Sequence, residues 1–331
     1  MKASVYTKYG PPTVLTVKSL PDPEPGNYDI QVKIHAATVN RSDCAMLTAK
    51  PFIMRFGTGL FTPKKQILGT DFAGEVTSVG PQVSRFKVGD KVFGFDDRGL
   101  STHAQVSVLH EDQHLGLMPD GVDYIEAAAS LEGMHYAYNF INKVDLKPGD
   151  HVIINGATGA IGSACLQLCV HYGAHVTAVC NTKNVELMLS LGARKTIDYE
   201  QEDFTRDNDR YDYVFDAVGK SAFGKCRPLL KPGGVYISSE LGWMSENIFF
   251  SLFTPLIASI PVFRSMKKVK FPLPLNIKRT ISLARDLVGK GKFKAVIDRT
   301  YPLDEVAEAF SYVLSGSKTG NVVITMQNFE K

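Results

Sequence analysis

Residues Ile153–Leu168 read IINGATGAIGSACLQL and carry three glycines, Gly156, Gly159 and Gly162, out of the usual G-x-G-x-x-G order. The run His151–Asn155 (HVIIN) is apolar enough for a central parallel strand, and the small residues after Gly159 suit a helix start. A glycine turn there presents backbone N–H groups and the positive end of a helix to a pyrophosphate. Gly159 lets a phosphate approach the backbone, and Gly162 lets the helix pack closely on the sheet. The triplet alone fits a structural tight turn equally well. The strand–turn–helix setting, with further βαβ elements behind it, points to a dinucleotide.

Those elements follow in strict alternation: strand HVTAVC, helix NVELMLSLG, strand KTIDY, strand YDYVFDAV, helix SAFGKCRPLL and strand GGVYISS. Strands and helices of these lengths predict right-handed crossovers and a parallel sheet. Upstream, ASVYT, VLTVKSL, DIQVKIHAATV, FAGEVTSVG, DKVFGF and HAQVSVL are short β-branched runs separated by Gly, Pro and Asp. They predict a mostly antiparallel, barrel-like region ending near Pro119–Tyr124. Helix NIKRTISLARDLVGKG and a tail ending in NVVITM close the chain, the last strand having no partner assignable from sequence.

A chain of 331 residues exceeds the roughly 250–300 at which single cores stop growing, so two domains are expected. The net charge is only +3, and the basic residues are interspersed, which argues against a nucleic-acid partner. Five scattered cysteines, Cys44, Cys165, Cys169, Cys180 and Cys226, form no disulfide framework and suit a reducing cytoplasm. Cys165 and Cys169, one helical turn apart, read as small buried apolar residues. The N-terminus lacks an apolar signal core. The run Ile248–Phe263 is broken by Pro255 and Pro261 and is shorter than the ~18–20 residues of a spanning helix. It reads as a buried helix, a pocket wall or a subunit interface, with membrane-surface contact as the minority alternative because RSMKKVK follows.

The second strand ends in Cys180, Asn181, Thr182 and Lys183. An acid at this point would bind the ribose hydroxyls of NAD, whereas amide, hydroxyl and ammonium groups accept the extra phosphate of NADP(H). The alternative is that Lys183 is an ordinary exposed lysine.

Taken together, AATVNRSD (Ala36–Asp43), ILGTDFAGEVTSVG (Ile67–Gly80), FKVGDKVFG (Phe86–Gly94), AAAS (Ala127–Ser130), KPGDHVIINGATGAIG (Lys147–Gly162), SLGARKTIDY (Ser190–Tyr199), FDAVG (Phe215–Gly219) and GNVVI (Gly320–Ile324) resemble the medium-chain dehydrogenase/reductase superfamily. The resemblance is to its zinc-independent, quinone oxidoreductase-like branch. It implies an α/β protein: a GroES-like β-barrel catalytic domain over residues 1–124 with 294–331, and a Rossmann doubly wound parallel-sheet domain over 125–293. It further implies NADPH-dependent reduction of a quinone or α,β-unsaturated carbonyl by hydride transfer in a cleft between the domains, and a homodimer. Coenzyme residues implied are Gly156, Ala157, Thr158, Gly159, Ala160, Ile161, Gly162, Asn181, Thr182, Lys183, Tyr199, Ala217, Val218 and Asn321.

Where zinc-dependent relatives carry a cysteine ligand and a His-Glu pair, this chain has Asn40-Arg41-Ser42-Asp43 and Thr70-Asp71. Neither offers thiolate or imidazole, so no metal is expected. Without a Lewis acid, reduction of a conjugated electrophile is easier than plain alcohol oxidation. Asn40, Asp43 and His135 are the candidate catalytic residues, His135 as hydrogen-bond or proton donor to a developing oxyanion. Asn40 and Asp43 also read as loop-capping Asx residues, and His135 as a packed core residue. The apolar loop Ala45–Lys65 reads as a substrate wall or a partner-packing segment. The rival functions are a metal-free alcohol dehydrogenase or carbonyl reductase, and a nucleotide-binding protein with a structural, sensing or membrane-surface role.

Overall fold

The computed structural model describes residues 1–52, 54–238, 246–259, 265–273 and 275–326. The chain forms two compact units, Met1–Glu132 with Asn276–Lys331, and Gly133–Leu275.

In the first unit β1 (Lys2–Val5) and β2 (Thr16–Ser19) form an antiparallel pair. The axis of the main sheet is β3 (Asp29–Val39), where Ile30, Val32 and Ile34 are buried in alternation before Ala36–Val39 are buried without a break. That change of pattern is what a strand shows when it passes from a half-covered to a fully covered part of a sheet. One edge of β3 pairs with β4 (Asp71–Val79), followed outward by β5 (Lys91–Phe95). The other edge takes β6 (Val106–His110), and β7 (Leu115–Leu117) adds to β5. Helices α1 (Arg41–Thr48), α2 (Met54–Thr58) and α3 (Tyr124–Ala129) complete this stretch.

The second unit contains most of α4 (Leu131–Ile141), then β8 (His151–Asn155), α5 (Ala160–His171), β9 (His175–Cys180), α6 (Val185–Ser190), β10 (Lys195–Asp198), β11 (Tyr211–Asp216), α7 (Phe223–Cys226), β12 (Leu230–Ser238), α8 (Glu246–Ala258) and β13 (Lys268–Lys270). The strands form one sheet of order β10-β9-β8-β11-β12-β13, and every pairing is parallel. The order reverses direction between β8 and β11, next to the glycine turn, which is the switch point at which doubly wound sheets bind ligands. Ile153, Val179, Val214 and Tyr236 lie in its core.

The chain then returns to the first unit through α9 (Ile277–Gly289), β14 (Ile297–Pro302), α10 (Val306–Ser315) and β15 (Asn321–Thr325). The partner of the last strand is now assigned: β15 runs antiparallel to β3, Val322 opposite Val39, and parallel to β14. The core beneath includes Ile34, Leu47, Phe72 and Phe310.

Both unit boundaries differ from the expected 124/125 and 293/294. Helix α3 packs on β3 and β4, and α9 packs on β5 and β7, so both helices belong to the first unit. The run Ile248–Phe263 is not a fully buried helix either. Within α8, Leu252, Phe253, Leu256 and Ile257 are exposed, while Thr254 turns inward and receives the Val269 amide at 2.8 Å. Residues 260–263 of that run lie outside the described residues. Among the described residues no helix is long and apolar enough to cross a membrane.

Candidate active site

In the second unit the turn after β8 is shaped by three glycines with three different constraints. Gly156 has φ +76°, and a Cβ there would lie 2.6 Å from the Val218 Cβ. A Cβ on Gly162 would lie 2.1 Å from the Gly156 carbonyl oxygen. Both positions therefore exclude any side chain. Gly159, the N-cap of α5 with ordinary backbone angles, is different: a Cβ there would meet nothing closer than 3.7 Å. The turn is open on that side, and α5 has no side-chain N-cap, so its first-turn amides have no intrahelical acceptor. This is a cradle for an anion.

The neighbouring loop is tied to the same turn. Asp216, at the end of β11, accepts from Asn155 Nδ2 at 2.9 Å, from the Gly219 amide at 3.0 Å and from Tyr236 Oη at 3.1 Å. The Ala217 amide donates to the Asn155 carbonyl at 3.0 Å. Ala217 is thus tied to the end of β8, and the Val218 side chain lies against Gly156.

At the far end of the sheet the structure adds what linear reading missed. No acid follows β9 in sequence, but β10 pairs with β9 so that Asp198 lies opposite Cys180. Asp198 Oδ2 and Glu200 Oε2 accept the Thr182 hydroxyl at 2.5 and 2.9 Å. Thr182 is therefore engaged by carboxylates, and Asn181 Oδ1 accepts from Asn184 Nδ2 at 2.5 Å. Lys183 and Tyr199, each next in sequence to one of these residues, are exposed.

In the first unit a buried polar cluster surrounds the start of α1. Asp71 accepts the Thr38 amide at 2.7 Å and the Thr38 hydroxyl at 2.5 Å, and Asn40 Nδ2 donates to Asp71 Oδ2 at 3.2 Å and to the Thr38 hydroxyl. Asp43 accepts the Asn40 amide at 2.9 Å, closing a capping box, and the Gly69 amide at 3.2 Å. Burial pushes both carboxyls up to about 7, Asp43 and Asp71 alike, against the opposing pull of these hydrogen bonds. His103 Nε2 lies 2.9 Å from the Thr38 carbonyl, so that nitrogen carries the proton, and burial favours the neutral ring. Asn40 and Asp43 thus fulfil the capping alternative as well as lining the cluster. The residue that sequence reasoning left without a role is Glu132. Its Oε1 accepts the Ser42 hydroxyl at 2.6 Å, while its buried Oε2 has no hydrogen-bond partner among the described residues.

Residues 26–138 match the alcohol dehydrogenase GroES-like domain family, and residues 191–324 match the zinc-binding dehydrogenase family. The chain is 33% identical to the 2-methylene-furan-3-one reductase of Solanum lycopersicum, covering 98% of this chain and 79% of that one. It is 30% identical, with the same coverage, to the chloroplastic NADPH-dependent alkenal/one oxidoreductase of Arabidopsis thaliana. The quinone oxidoreductase structure from Coxiella burnetii superposes with a TM-score of 0.82 at 25% identity, over 99% of each chain. The chain belongs to the medium-chain dehydrogenase/reductase superfamily, in its quinone oxidoreductase-like branch. It is an oxidoreductase of that type.

The family raises the question of zinc, and the oxidoreductase's donors do not fit that metal. Asn40 and Asp71 are consumed by hydrogen bonds to each other and to Thr38, and burial pushes the Cys44 thiol up to about 12, away from the thiolate a ligand must be. Among the described residues no three His, Cys, Asp or Glu side chains are grouped to hold a metal ion. The nicotinamide coenzyme of the family does fit, in the cradle over Gly159.

The remaining candidates fall elsewhere. His135 is fully buried within α4 and its ring lies edge-on to Tyr136, 5.5 Å between centroids. Asn321, in the first unit, donates from its side chain to the Val296 carbonyl at 3.0 Å. In the loop Ala45–Lys65, Tyr9 Oη donates to the Gly59 carbonyl at 2.7 Å and the Arg55 guanidinium lies over the Tyr9 and Phe52 rings. That anchoring leaves Phe52, Phe56 and Phe61 exposed; Ile53 lies outside the described residues.

Proposed function

We propose that this oxidoreductase uses NADPH to reduce quinones or α,β-unsaturated carbonyls. The observation that carries the reading is the glycine turn, closed to side chains at 156 and 162 and open at 159, at the end of the interior strand β8 where the parallel sheet has its switch point. The relatives named for alkenal/one and furanone reduction support the substrate class.

When bound, the coenzyme supplies a hydride to an already electrophilic carbon, so the chain's own residues need only hold, orient and protonate. The amides of Ala160, Ile161 and Gly162 bind the diphosphate, and Ala217 and Val218 flank the turn. Lys183 and Tyr199 receive the 2′-phosphate beside Asp198 and Glu200, a mixed-charge setting that weakens the preference for NADPH over NADH without removing it. The test is NADPH consumption with enones, quinones and simple ketones, repeated with NADH. Turnover of enones or quinones, faster with NADPH, is expected. Turnover of simple ketones alone, or indifference to the 2′-phosphate, overturns the reading.

A further inference from the structure

The apolar run that the coenzyme site leaves unused lies in α8. From Asn247 to Phe263 the sequence carries no charged residue. Phe250 and Thr254 face inward, Phe250 against the Phe223 ring at 5.6 Å between centroids and Thr254 against β13. Leu252, Phe253, Leu256 and Ile257, spaced to share one side of the helix, are between 38% and 70% exposed. Leu273 and Leu275, just after β13, are exposed as well. Single exposed leucines are ordinary on a soluble protein, whereas four large apolar side chains together on one helix side mark a contact surface.

The chemistry beside that side identifies the contact. A cavity of about 480 Å³ opens where Leu252 meets Lys143, Lys270, Phe271 and Leu273. A second, of about 390 Å³, follows α8 onward at Pro255 and Ser259, and is lined by Lys268 and again by Lys270. Lys270 donates to the Lys143 carbonyl, and burial together with the Lys268 and Lys143 charges lowers the pKa of its ammonium. Among the described residues none of these three lysines forms an ion pair; Asp145, the carboxylate that lines the second cavity, is paired with Lys147 at 3.1 Å. Lys267 donates to the Arg227 carbonyl, and its charged neighbours are Arg227 and Arg210. The apolar helix side is thus flanked by cations that no acid neutralises.

We propose that this face of α8 docks the parallel-sheet unit on an anionic lipid bilayer. Leu252, Phe253, Leu256 and Ile257 enter the boundary between headgroups and acyl chains, and Lys143, Lys268 and Lys270 pair with lipid phosphates. An apolar helix side rimmed by lysines is the pattern of a helix lying in the interface plane. Other occupants fit less well. The core of a protein–protein interface is depleted in lysine, and a second copy related by a two-fold axis would set this cationic strip against itself. A bilayer supplies the counter-charge and the apolar phase together. The inference stands apart from the reductase reading, because binding is measured without turnover.

The test is co-sedimentation of the full chain with vesicles of phosphatidylcholine, alone or mixed with about one-third phosphatidylglycerol. Wild type is expected to bind the mixed vesicles, to bind phosphatidylcholine weakly, and to be released as salt rises. Leu256→Asp, at a position 70% exposed, should melt as wild type does and lower the partition coefficient about tenfold or more. Leu252→Ser carries that arm if Leu256→Asp fails to fold. Lys143→Gln combined with Lys268→Gln should lower partition into the mixed vesicles about twentyfold and leave the weak binding to phosphatidylcholine unchanged. Wild type that stays in the supernatant, or binds both vesicles equally whatever the salt, overturns the proposal. Unchanged partition of the folded leucine or lysine variants does the same. A dimer in sedimentation equilibrium that Leu256→Asp splits also overturns it, since a second copy then covers the face.

Discussion

Gly162→Ala is the sharpest perturbation of the coenzyme cradle. The added methyl would lie 2.1 Å from the Gly156 carbonyl oxygen and 2.8 Å from Ala157 Cα. Both are backbone atoms of a turn fixed by the positive φ of Gly156, so no rotamer change relieves them. Helix α5 and the end of β8 must separate by about 1 Å, at the upper end of the ~1–3 kcal/mol that overpacking costs. Alanine's better helix propensity returns at most ~1 kcal/mol, so destabilisation wins. At ~2–4 °C per kcal/mol for a unit of this size, the melting temperature falls by about 5 °C or more.

The same shift moves the first-turn amides off the diphosphate. Losing one charge-assisted hydrogen bond, ~1.5–3 kcal/mol, weakens NADPH binding about tenfold to a hundredfold. Thermal unfolding and fluorescence titration with NADPH measure the two effects. Gly159→Ala is the control. Its methyl meets nothing within 3.7 Å, so the protein should melt as wild type does yet bind NADPH poorly, because the methyl fills the phosphate's place. A Gly162→Ala variant that melts and binds like wild type, or a Gly159→Ala variant that binds NADPH normally, would refute the cradle.

Exchanging Lys183 for Glu is expected to raise KM for NADPH by about tenfold or more and spare NADH; equal effects in steady-state kinetics would remove Lys183 from the 2′-phosphate site. Replacing Asp198 with Asn together with Glu200 by Gln should do the opposite, improving kcat/KM for NADPH over NADH by severalfold, and no change in that ratio would count against the mixed-charge reading. Gly133→Ala places a methyl 2.6 Å from the Ala160 carbonyl oxygen, so it should lower both melting temperature and NADPH affinity, whereas a loss of neither would show that α4 yields easily. For Asp71 the folded-state value near 7 lies above the unfolded ~3.9, so its contribution to stability is present at low pH and lost as pH rises through 7. The melting temperature of Asp71→Asn relative to wild type should therefore climb between about pH 4 and pH 8; a flat or falling difference in calorimetry would contradict the buried, proton-retaining carboxyl.

Long regular runs were legible in sequence. DIQVKIHAATV, HVIIN and HVTAVC became β3, β8 and β9 with the ends expected, because alternation or continuous apolarity over such lengths leaves no competing register. The strands that escaped notice, β7, β13 and β14, are short or carry Pro, Arg and Asp; their pairing comes from neighbours far off in the chain. The boundaries moved for a similar reason, since α3 and α9 show amphipathic faces that do not name the sheet they cover. The site divided along the same line. The glycine turn is local chemistry and could be read, whereas Asp198 meets Thr182 only through the β9–β10 pairing. Glu132 looks like an ordinary acid in the first turn of a helix; its contact with Ser42, ninety positions away in sequence, exists only in the fold.

The strand β15 occupies the half of β3 that β6 leaves bare, and Val322, Val323 and Ile324 are all buried there. A ribosome therefore releases the parallel-sheet unit, whose residues are contiguous, well before the first unit can close. Until the final stretch emerges, residues 36–39 of the earliest sheet strand present unsatisfied amides and carbonyls, a surface to which chaperones or stray β-edges can bind. Loss of that stretch, by a frameshift or a protease, would leave residues 36–39 of β3 without their partner on that edge.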